Sequence, residues 1–278
     1  MIKIAFDPYT RRFSSSSKQG IVEISTNAVK YLGGAHVTRR FDFHDFKSGA
    51  FYTDAGKALH GNRMDPEFFK TEVVPKVEAA INVLVDYGVD RKDIKCIATA
   101  LLREATNAEE CIKMVKDATG LYVRVIPPEK EAVGAVSAFL KTTSRDLRGK
   151  YVVSMDMGGG STEVAVVLDG KLLFKQSFSV GQSLGRRESI AIPDSVFKDE
   201  DREKVLVGTG YALKKTLGVG SNAGIHDREF PVEKVRAGLS KEPMAKVFVE
   251  MARKLGVDTI IGNGTGNIFS ELLYKKIS

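Results

Sequence analysis

Short segments of strand-like hydrophobic pattern open the chain, and segments with a helical period follow them. The strand-like runs cover residues 2–6, 20–25, 28–32 and 36–43. From Pro66 onward, apolar side chains recur every three or four residues as far as Gly88, which predicts a helix that ends at this glycine. The change of period predicts an α/β domain that begins with an antiparallel meander.

The same order of elements continues and then begins again. The first half is completed by predicted strands at 94–99 and 122–126 and by predicted helices at 107–120, which has Asn107 as its N-cap, and 129–142. Beyond a polar linker candidate at 142–149 lie predicted strands at 151–156, 164–168, 172–178 and 257–261 and predicted helices at about 199–217, 232–239 and 242–255. Asp169-Gly170 is expected to form a hairpin turn. The pattern therefore predicts two α/β halves of one architecture.

Composition narrows the class of protein. The 278 residues are 43% hydrophobic and 28% charged, as in ordinary globular proteins, and no apolar run approaches the ~18 residues of a membrane span. The net charge of +7 fits an anionic partner such as nucleic acid, polyphosphate, a nucleotide or a membrane surface, or else an inert basic surface. Two separated cysteines and four scattered histidines argue against a zinc site or a disulfide framework, so a cytoplasmic protein with reduced thiols is predicted.

The most informative segment for chemistry covers residues 152–163. An apolar strand ends at Asp156, and the run Gly158-Gly159-Gly160-Ser161-Thr162 follows before Glu163. Glycines let backbone N–H groups approach an anion closely, and the two hydroxyls add donors. The carboxylates are the hard oxygen ligands that suit Mg²⁺. The segment therefore predicts a phosphate-binding loop beside a magnesium site, and a purely structural glycine turn is the less specific alternative.

Two further glycine-rich segments leave their roles open. Gly208-Thr209-Gly210 and residues 262–266 lack the third glycine of a dinucleotide fingerprint, and the chain contains no GxxxxGK[ST] sequence. A P-loop is therefore excluded. Each segment fits either a turn that faces a phosphate or nucleoside or a glycine needed only for packing.

Four blocks together resemble the exopolyphosphatase/guanosine pentaphosphate phosphohydrolase (Ppx/GppA) family. They are residues 20–30, residues 97–107, residues 125–132 and the loop after Asp156. The resemblance implies two ribonuclease H-like α/β domains of the actin/Hsp70/sugar kinase superfamily with a cleft between them, as a short two-domain member of the family. We expect these domains at residues 1–145 and 146–278.

The resemblance also implies a role for each site residue. Glu131 would be the base that activates water, Arg103 would clamp a phosphate, and Asp156 and Glu163 would hold Mg²⁺. The implied phosphate-binding residues are Asn27, Lys30, Gly158, Gly159, Gly160, Ser161 and Thr162. The implied activity is release of terminal phosphate from polyphosphate or guanosine pentaphosphate. The expected partners are polyphosphate or guanosine penta- or tetraphosphate and, as one option, a second copy in a homodimer, with neither membrane nor nucleic acid as a partner.

The first loop departs from the family pattern. Glu23, Ser25 and Ala28 stand where the family has Asp, Gly and Ser, and Pro127-Pro128 replaces Ser-Gly. A serine in place of the loop glycine is expected to obstruct a positive φ or close backbone approach. Two alternatives to the hydrolase therefore stay open. One is a phosphate- or nucleotide-binding regulatory homologue with weak or no activity, and the other is an ATP-using kinase of the same superfamily.

Overall fold

The computed structural model describes residues 18–35, 46–181, 189–220 and 222–266, together with Ile268. The first half contains β1 (Gln19–Ile24), β2 (Ala28–Gly34), β3 (Phe46–Tyr52), β4 (Leu59–His60), β5 (Arg63–Met64), α1 (Pro66–Phe68), a π-helical turn (Phe69–Val73), α2 (Val74–Asp86), β6 (Ile94–Ala98), α3 (Ala100–Glu104), α4 (Ala108–Thr119), β7 (Val123–Val125) and α5 (Pro128–Thr142). The second half contains β8 (Tyr151–Met157), β9 (Thr162–Leu168), β10 (Lys171–Phe178), β11 (Lys204–Gly210), α6 (Tyr211–Leu217), α7 (Asn222–Ile225), β12 (Glu229–Pro231), α8 (Val232–Ala237), α9 (Lys246–Leu255) and β13 (Thr259–Gly262).

The first sheet has the strand order β3-β2-β1-β6-β7. The first three strands in this order are antiparallel neighbours, and β6 and β7 run parallel to β1. Helix α2 packs against this sheet through the buried Leu84. A Cβ atom at Gly33 would lie 2.6 Å from Leu84 Cδ2, so the helix approaches the sheet this closely only over a glycine.

The second sheet repeats this plan with one additional strand. Its order is β10-β9-β8-β11-β13-β12, with an antiparallel β8-β9-β10 meander, parallel pairs β8-β11 and β11-β13, and an antiparallel edge strand β12. The turn between β9 and β10 has positive φ at both Asp169 (49°) and Gly170 (77°), as a type I′ hairpin requires. The predicted hairpin and the predicted repeat of architecture are confirmed.

Helix α5 packs against both sheets. Its Ala138 belongs to a buried cluster with Ile21 and Ile97 of the first sheet, whereas Phe139 packs with Val152 of the second sheet. Each half also has a larger hydrophobic core of its own. Because α5 contacts both sheets, it fixes the relation between the strand ends of the two halves. A domain boundary between residues 145 and 146 stays a prediction.

The segment predicted as a linker is held by hydrogen bonds from Asp227. This side chain accepts from Thr143 Oγ1 at 2.5 Å, from Ser144 N at 2.9 Å and Ser144 Oγ at 2.6 Å, and from Arg145 Nε at 2.9 Å. Burial opposes ionisation, but these donors hold the pKa of Asp227 below its usual value. The residues that leave α5 are therefore tied to the second half.

Several predicted elements agree with the structure, and one is wrong. The helices predicted at 107–120 and 129–142 are α4 and α5, and the Asn107 side chain does not cap α4 but bonds the backbone of Met64 at 2.9 and 3.0 Å. The helix predicted at 199–217 is wrong for residues 204–210, which form the central strand β11, and correct for residues 211–217, which form α6. The strand predicted at 36–43 and nearly all of residues 1–19 lie outside the described residues, and β3 was not predicted.

Two findings bear on the class of protein. Within the described ranges, the structure contains no helix with the length and apolar character that crossing a membrane requires. Cys96 and Cys111 are buried free thiols, and burial raises their pKa values to about 12 and about 11. The prediction of two buried, unpaired thiols is therefore confirmed.

Candidate functional site

The predicted site residues gather at the carboxyl ends of parallel strands from both sheets. Glu23 lies near the end of β1, and Asp156 occupies the same place on β8. Arg103 lies in α3, directly after β6, and Glu131 lies in the first turn of α5, after β7. In open α/β sheets this edge is where ligands bind. The two halves thus contribute residues to one site.

The hairpin formed by β1 and β2 carries an ion pair between a buried glutamate and a partly exposed lysine. Glu23 and Lys30 are cross-strand neighbours, and Lys30 Nζ lies 2.9 Å from Glu23 Oε1. Burial alone would lower the pKa of Lys30, but the attraction of Glu23, with smaller contributions from Asp156 and Glu131, raises it. Among the described residues, the buried Glu23 Oε2 has no hydrogen-bond partner. One oxygen of Glu23 is therefore neutralised by Lys30, and the other is left without a donor.

Ser25 fits the first loop without backbone strain. Its amide and its hydroxyl both reach the carbonyl oxygen of Ala28, at 2.9 and 2.8 Å, and its φ is not positive. The expectation that this serine meets a requirement for positive φ is therefore wrong. The hydroxyl instead stabilises the tight turn that leads from β1 to β2.

The hairpin formed by β8 and β9 carries acids on both strands. Asp156 and Glu163 are cross-strand neighbours, and Ser177 on β10 is the next residue in the same row. Glu163 Oε1 accepts from Ser161 Oγ at 2.5 Å and from Ser177 Oγ at 2.9 Å. These two hydroxyls hold the Glu163 carboxylate in place beside Asp156.

Thr162 does not face the same way as Glu163. Successive residues of a strand point to opposite faces of the sheet, and the Thr162 hydroxyl donates to Val180 O at 2.6 Å. Its side chain is fully buried. The Thr162 hydroxyl therefore does not lie at the phosphate site that was predicted for it. It instead holds the segment that follows β10.

The glycine loop contacts the first hairpin directly. The amide of Gly158 donates to Ser161 O at 2.8 Å and closes the turn. A Cβ atom at Gly159 would lie 2.7 Å from Asn27 Nδ2, and one at Gly181 would lie 2.3 Å from the carbonyl carbon of Gly160. The loop is thus packed between Asn27 on one side and Gly181 on the other. Gly159 and Gly181 permit this close packing because they have no Cβ atom, and the approach of an anion to the loop stays a prediction.

Arg103 joins the two halves of the site. Its guanidinium forms a salt bridge with Glu131 and donates to Ile126 O at 2.9 Å. Its second terminal nitrogen, Nη2, lies 3.9 Å from Glu163 Oε1. One cation therefore lies between the acid predicted as the base and the acid predicted as a metal ligand.

Burial raises the pKa of both acids beside Arg103. For Glu131 the desolvation of the carboxylate and the negative charge of Glu163 raise the pKa, and Arg103 opposes them only in part. For Glu163 desolvation again raises the pKa and the charge of Asp156 adds to it, whereas Ser161, Ser177 and Arg103 oppose it. The site thus concentrates more negative charge than Arg103 alone neutralises.

Lys214 is a site residue that the sequence did not reveal. It lies in α6, one turn after Gly210, and it is half-buried. Burial lowers its pKa, and the positive charge of Lys30 lowers it further, whereas Asp156 acts in the opposite direction. Lys30 and Lys214 therefore bring positive charge to the site from opposite halves. The basic pair Lys214-Lys215 just after a glycine turn was the available signal.

The two remaining glycine-rich segments combine packing with proximity to the site. Gly208 and Gly262 are packing glycines, because a Cβ atom there would collide with the core or with Ile225 O. In contrast, Gly210 (φ 113°) lies against Met157 O, and Gly266 (φ 58°) lies beside Asp156, whose Oδ2 would be 3.8 Å from an added Cβ. Each segment therefore begins with a glycine that is needed for packing and ends with a glycine that lies beside the site.

The acids of β8 and β9 fit a magnesium ion that shares its coordination with phosphate. Within the described part of the chain, no three His, Cys, Asp or Glu side chains converge closely enough to form a metal cage. Mg²⁺ commonly takes one or two carboxylates and completes its shell with water and phosphate oxygens. The adjacent pair Asp156 and Glu163, with a phosphate loop between them in sequence, suits this mode.

Sequence comparisons match the region that carries the site. The model of the Ppx/GppA phosphatase family matches residues 55–187. A bifunctional 3-dehydroquinate synthase/phosphatase from Fusobacterium nucleatum is 29% identical over 168 residues, which are 59% of this chain and 24% of that protein. Retrograde regulation protein 2 from Saccharomyces cerevisiae is 29% identical over 171 residues, which are 57% and 27%. The match thus spans about a quarter of the length of these curated relatives.

Solved structures share the fold over nearly the whole chain. A Ppx/GppA family member from Aquifex aeolicus has a TM-score of 0.67 at 18% identity, covering 92% of this chain and 96% of that one. An exopolyphosphatase from Cytophaga hutchinsonii has a TM-score of 0.71 at 16% identity, covering 91% and 96%. These likenesses show that the chain has the two-part α/β fold of these structures, as predicted. The family model thus matches a little under half of the chain, and the chain shares the fold of solved family members, so the chain is similar to the Ppx/GppA phosphatase family in both sequence and fold.

Proposed function

We propose that the chain is a Mg²⁺-dependent phosphohydrolase that releases terminal phosphate from inorganic polyphosphate or guanosine pentaphosphate. The observation that carries the proposal is the buried cluster of Glu131, Arg103 and Glu163 next to the glycine loop. A carboxylate with a raised pKa, a guanidinium and a donor-rich loop are the parts that phosphoanhydride hydrolysis needs. The match of residues 55–187 to the model of a phosphatase family supports the same proposal.

The terminal phosphate would bind between the two hairpins. Gly158, Gly159 and Gly160 would present backbone N–H groups, and the side chain of Asn27 adjoins them from the first hairpin. Lys30 and Lys214 would balance the charge of the remaining phosphates from either side. A phosphate that enters here would compete with Glu131 for the guanidinium of Arg103, since both are anions that suit its planar fork.

Magnesium, when bound by Asp156 and Glu163, would neutralise negative charge on the phosphate oxygens and on these two acids. Two adjacent carboxylates are a donor set that Mg²⁺ commonly takes. The residues of the chain then have separate tasks. Arg103 orients the phosphate, and the Ser161 and Ser177 hydroxyls keep Glu163 fixed.

Glu131 would supply the base for hydrolysis. Its carboxylate takes a proton from the attacking water, the water oxygen forms a bond to the terminal phosphorus, and the bridging P–O bond breaks. The electron pair of that bond leaves with the shortened chain, and orthophosphate is released. A raised pKa makes Glu131 a better proton acceptor than an exposed glutamate once it is ionised.

The test is phosphate release by the purified protein with and without Mg²⁺. Tripolyphosphate, long-chain polyphosphate and guanosine pentaphosphate are the substrates, and Glu131→Gln is the variant. Loss of a general base typically costs 10²–10⁴-fold, so turnover is expected to fall by roughly that factor.

Glu129→Gln is the matched control for this test. Glu129 lies in the same first turn of α5 but is exposed, so the control makes the same change of charge at the same helix end. The control is expected to keep the wild-type rate. Wild-type protein that binds these ligands but releases no phosphate, or a Glu131→Gln variant with full activity, would overturn the proposal.

A ligand-binding regulator without turnover is the second candidate. It is favoured by the salt bridge between Arg103 and Glu131, which holds the proposed base and the proposed phosphate clamp to each other. Tight binding of guanosine pentaphosphate or polyphosphate with no phosphate release would establish it. Magnesium dependence, a homodimer, a cytoplasmic location and the lack of a nucleic-acid partner stay predictions in both cases.

A further inference from the structure

A groove that includes Lys214 of the site is bordered by residues of both halves. It has a volume of about 310 Å³ and is lined by Tyr52, Tyr211, Lys214, Lys215 and residues 218–220. Tyr52 is the last residue of β3, and Tyr211 is the first residue of α6. The groove thus lies where the two sheets present their loop ends to each other.

The two tyrosines are exposed and contact each other. Tyr52 is 65% exposed and Tyr211 is 44% exposed, and their ring centroids lie 6.3 Å apart in an edge-to-face arrangement. Lys215 Nζ lies 5.7 Å from the Tyr211 centroid. An aromatic pair with a cation beside it is a surface on which a planar π-system stacks well.

Backbone contacts connect this groove to the phosphate loops. Tyr52 pairs with Ala28 at the turn of the first hairpin, and the amide of Thr53, the next residue, donates to Asn27 O at 2.9 Å. On the other side, Tyr211 follows Gly210, which lies against Met157 O at the start of the glycine loop. Tyr52 is therefore adjacent to the turn of the β1–β2 hairpin, and Tyr211 is adjacent to the start of the glycine loop.

Lys214 connects the groove and the site. It lines the groove, and it interacts electrostatically with Lys30 and with Asp156. A substrate whose terminal phosphate lies against the glycine loop would pass its inner phosphates near Lys214. Whatever follows those phosphates in the substrate then reaches the tyrosines.

We propose that the Tyr52–Tyr211 groove is a subsite for the aromatic base of a nucleoside polyphosphate, so that these tyrosines determine the preference of the site for nucleoside over inorganic polyphosphates. The proposal rests on the proposed function, because the phosphates must bind at the loops for the base to reach the groove. Inorganic polyphosphate has no group that stacks on a tyrosine, whereas every nucleobase has a π-face.

The experiment compares kcat/KM for guanosine pentaphosphate and for tripolyphosphate in Tyr52→Ala and Tyr211→Ala. Removal of a stacking ring is expected to lower the ratio of the two values about tenfold. Tyr52→Phe keeps the ring and is expected to keep the ratio. Tyr122→Ala removes another exposed tyrosine, 63% exposed and outside the groove, and is expected to leave the ratio at its wild-type value.

Two outcomes would overturn the subsite: a ratio that stays unchanged in both alanine variants, or a ratio that Tyr122→Ala lowers equally. If the wild-type protein releases no phosphate, the proposed function fails, and the subsite is tested by binding instead. The dissociation constants of guanosine triphosphate and tripolyphosphate are then measured by calorimetry. The subsite predicts that both alanine variants weaken binding of the nucleotide about tenfold more than binding of tripolyphosphate, and equal weakening contradicts it.

Discussion

The β1–β2 hairpin and the β8–β9 hairpin place a cross-strand pair of side chains at the same position, but the two pairs differ in charge. In each, an acid stands one residue before the end of the first strand, and its cross-strand partner lies on the second strand. In the first hairpin the pair is Glu23 with Lys30, and in the second it is Asp156 with Glu163. The first pair is neutral as a unit, and the second carries two acids.

This difference indicates a division of labour between two copies of one architecture. The first hairpin satisfies its acid internally through Lys30 and presents Asn27 to the glycine loop. The second hairpin keeps the buried Glu163 beside the partly buried Asp156, which costs free energy unless a cation joins them. In the proposed function, a cation and a phosphate would bind at the second hairpin, and the first hairpin would form a wall of the phosphate site.

Of the experiments that compare the two hairpins, the largest effect is expected when the first-strand acid of each hairpin is replaced by its amide in separate variants. Asp156→Asn removes a proposed metal ligand and is expected to lower kcat/KM about 100-fold, since a metal ion contributes several kcal/mol to transition-state stabilisation. Glu23→Gln is expected to lower it much less. Steady-state phosphate release from tripolyphosphate measures both. Equal losses would show that the two hairpins are not divided in this way.

A second experiment breaks the ion pair of the first hairpin. Lys30→Met leaves the buried Glu23 without the hydrogen bond that Lys30 donates to it and is expected to lower the free energy of unfolding by about 1–3 kcal/mol. Adding Glu23→Gln to this variant is expected to restore most of the loss. Urea unfolding of the single and double variants measures the coupling. A single variant as stable as the wild type would mean that the pair does not stabilise the hairpin.

The pH dependence of stability reports on the second cluster. Because the pKa of Glu131 is raised above 4.5 in the folded protein, the folded state binds more protons than the unfolded state above that pH. The free energy of unfolding contributed by this group therefore falls as pH rises from about 4.5 through neutrality. Glu131→Gln is expected to flatten this decline. Chemical unfolding from pH 5 to 8 measures the slopes (roughly the range of maximal stability), and parallel slopes would contradict the raised pKa.

The smallest effect is expected at the contact between the hairpins. Gly159→Ala places a methyl group about 2.7 Å from the Asn27 side chain, which has room to move only in part. We expect a loss of about 1 kcal/mol or less in unfolding free energy, at the low end for overpacking. Asn27→Ala in the same protein is expected to relieve it. Additive effects in thermal unfolding would argue that the two loops do not touch.

The sequence predicted those parts of the fold and site that depend on local pattern. The Asp156 loop, the Asp169-Gly170 turn and the helix that carries Glu131 each follow from residues that are close in sequence. Strand β11 was predicted as a helix because a short apolar run between charged residues fits either period, and only the parallel neighbours β8 and β13 decide it.

Features that depend on contacts between residues distant in sequence could not be predicted from the local sequence pattern. The Arg103–Glu131 salt bridge forms because α3 and α5 follow adjacent parallel strands, and the sequence supplied this pair only through the family resemblance. Lys214 was missed because its neighbours Lys30 and Asp156 come from other strands. Thr162 was assigned to the phosphate because its hydroxyl follows the glycine loop in sequence, although strand alternation directs it away from Glu163.

The central claim is that the β8–β9 hairpin, and not the β1–β2 hairpin, holds the cation. The most direct test is a titration of the full chain with Mn²⁺, as a paramagnetic substitute for Mg²⁺, in the presence of pyrophosphate and followed by electron paramagnetic resonance. The account predicts one bound ion in the wild type and in Glu23→Gln, and strongly weakened binding in Asp156→Asn. Binding that Glu23→Gln weakens as much as Asp156→Asn, or a wild-type protein that binds no ion, would contradict it.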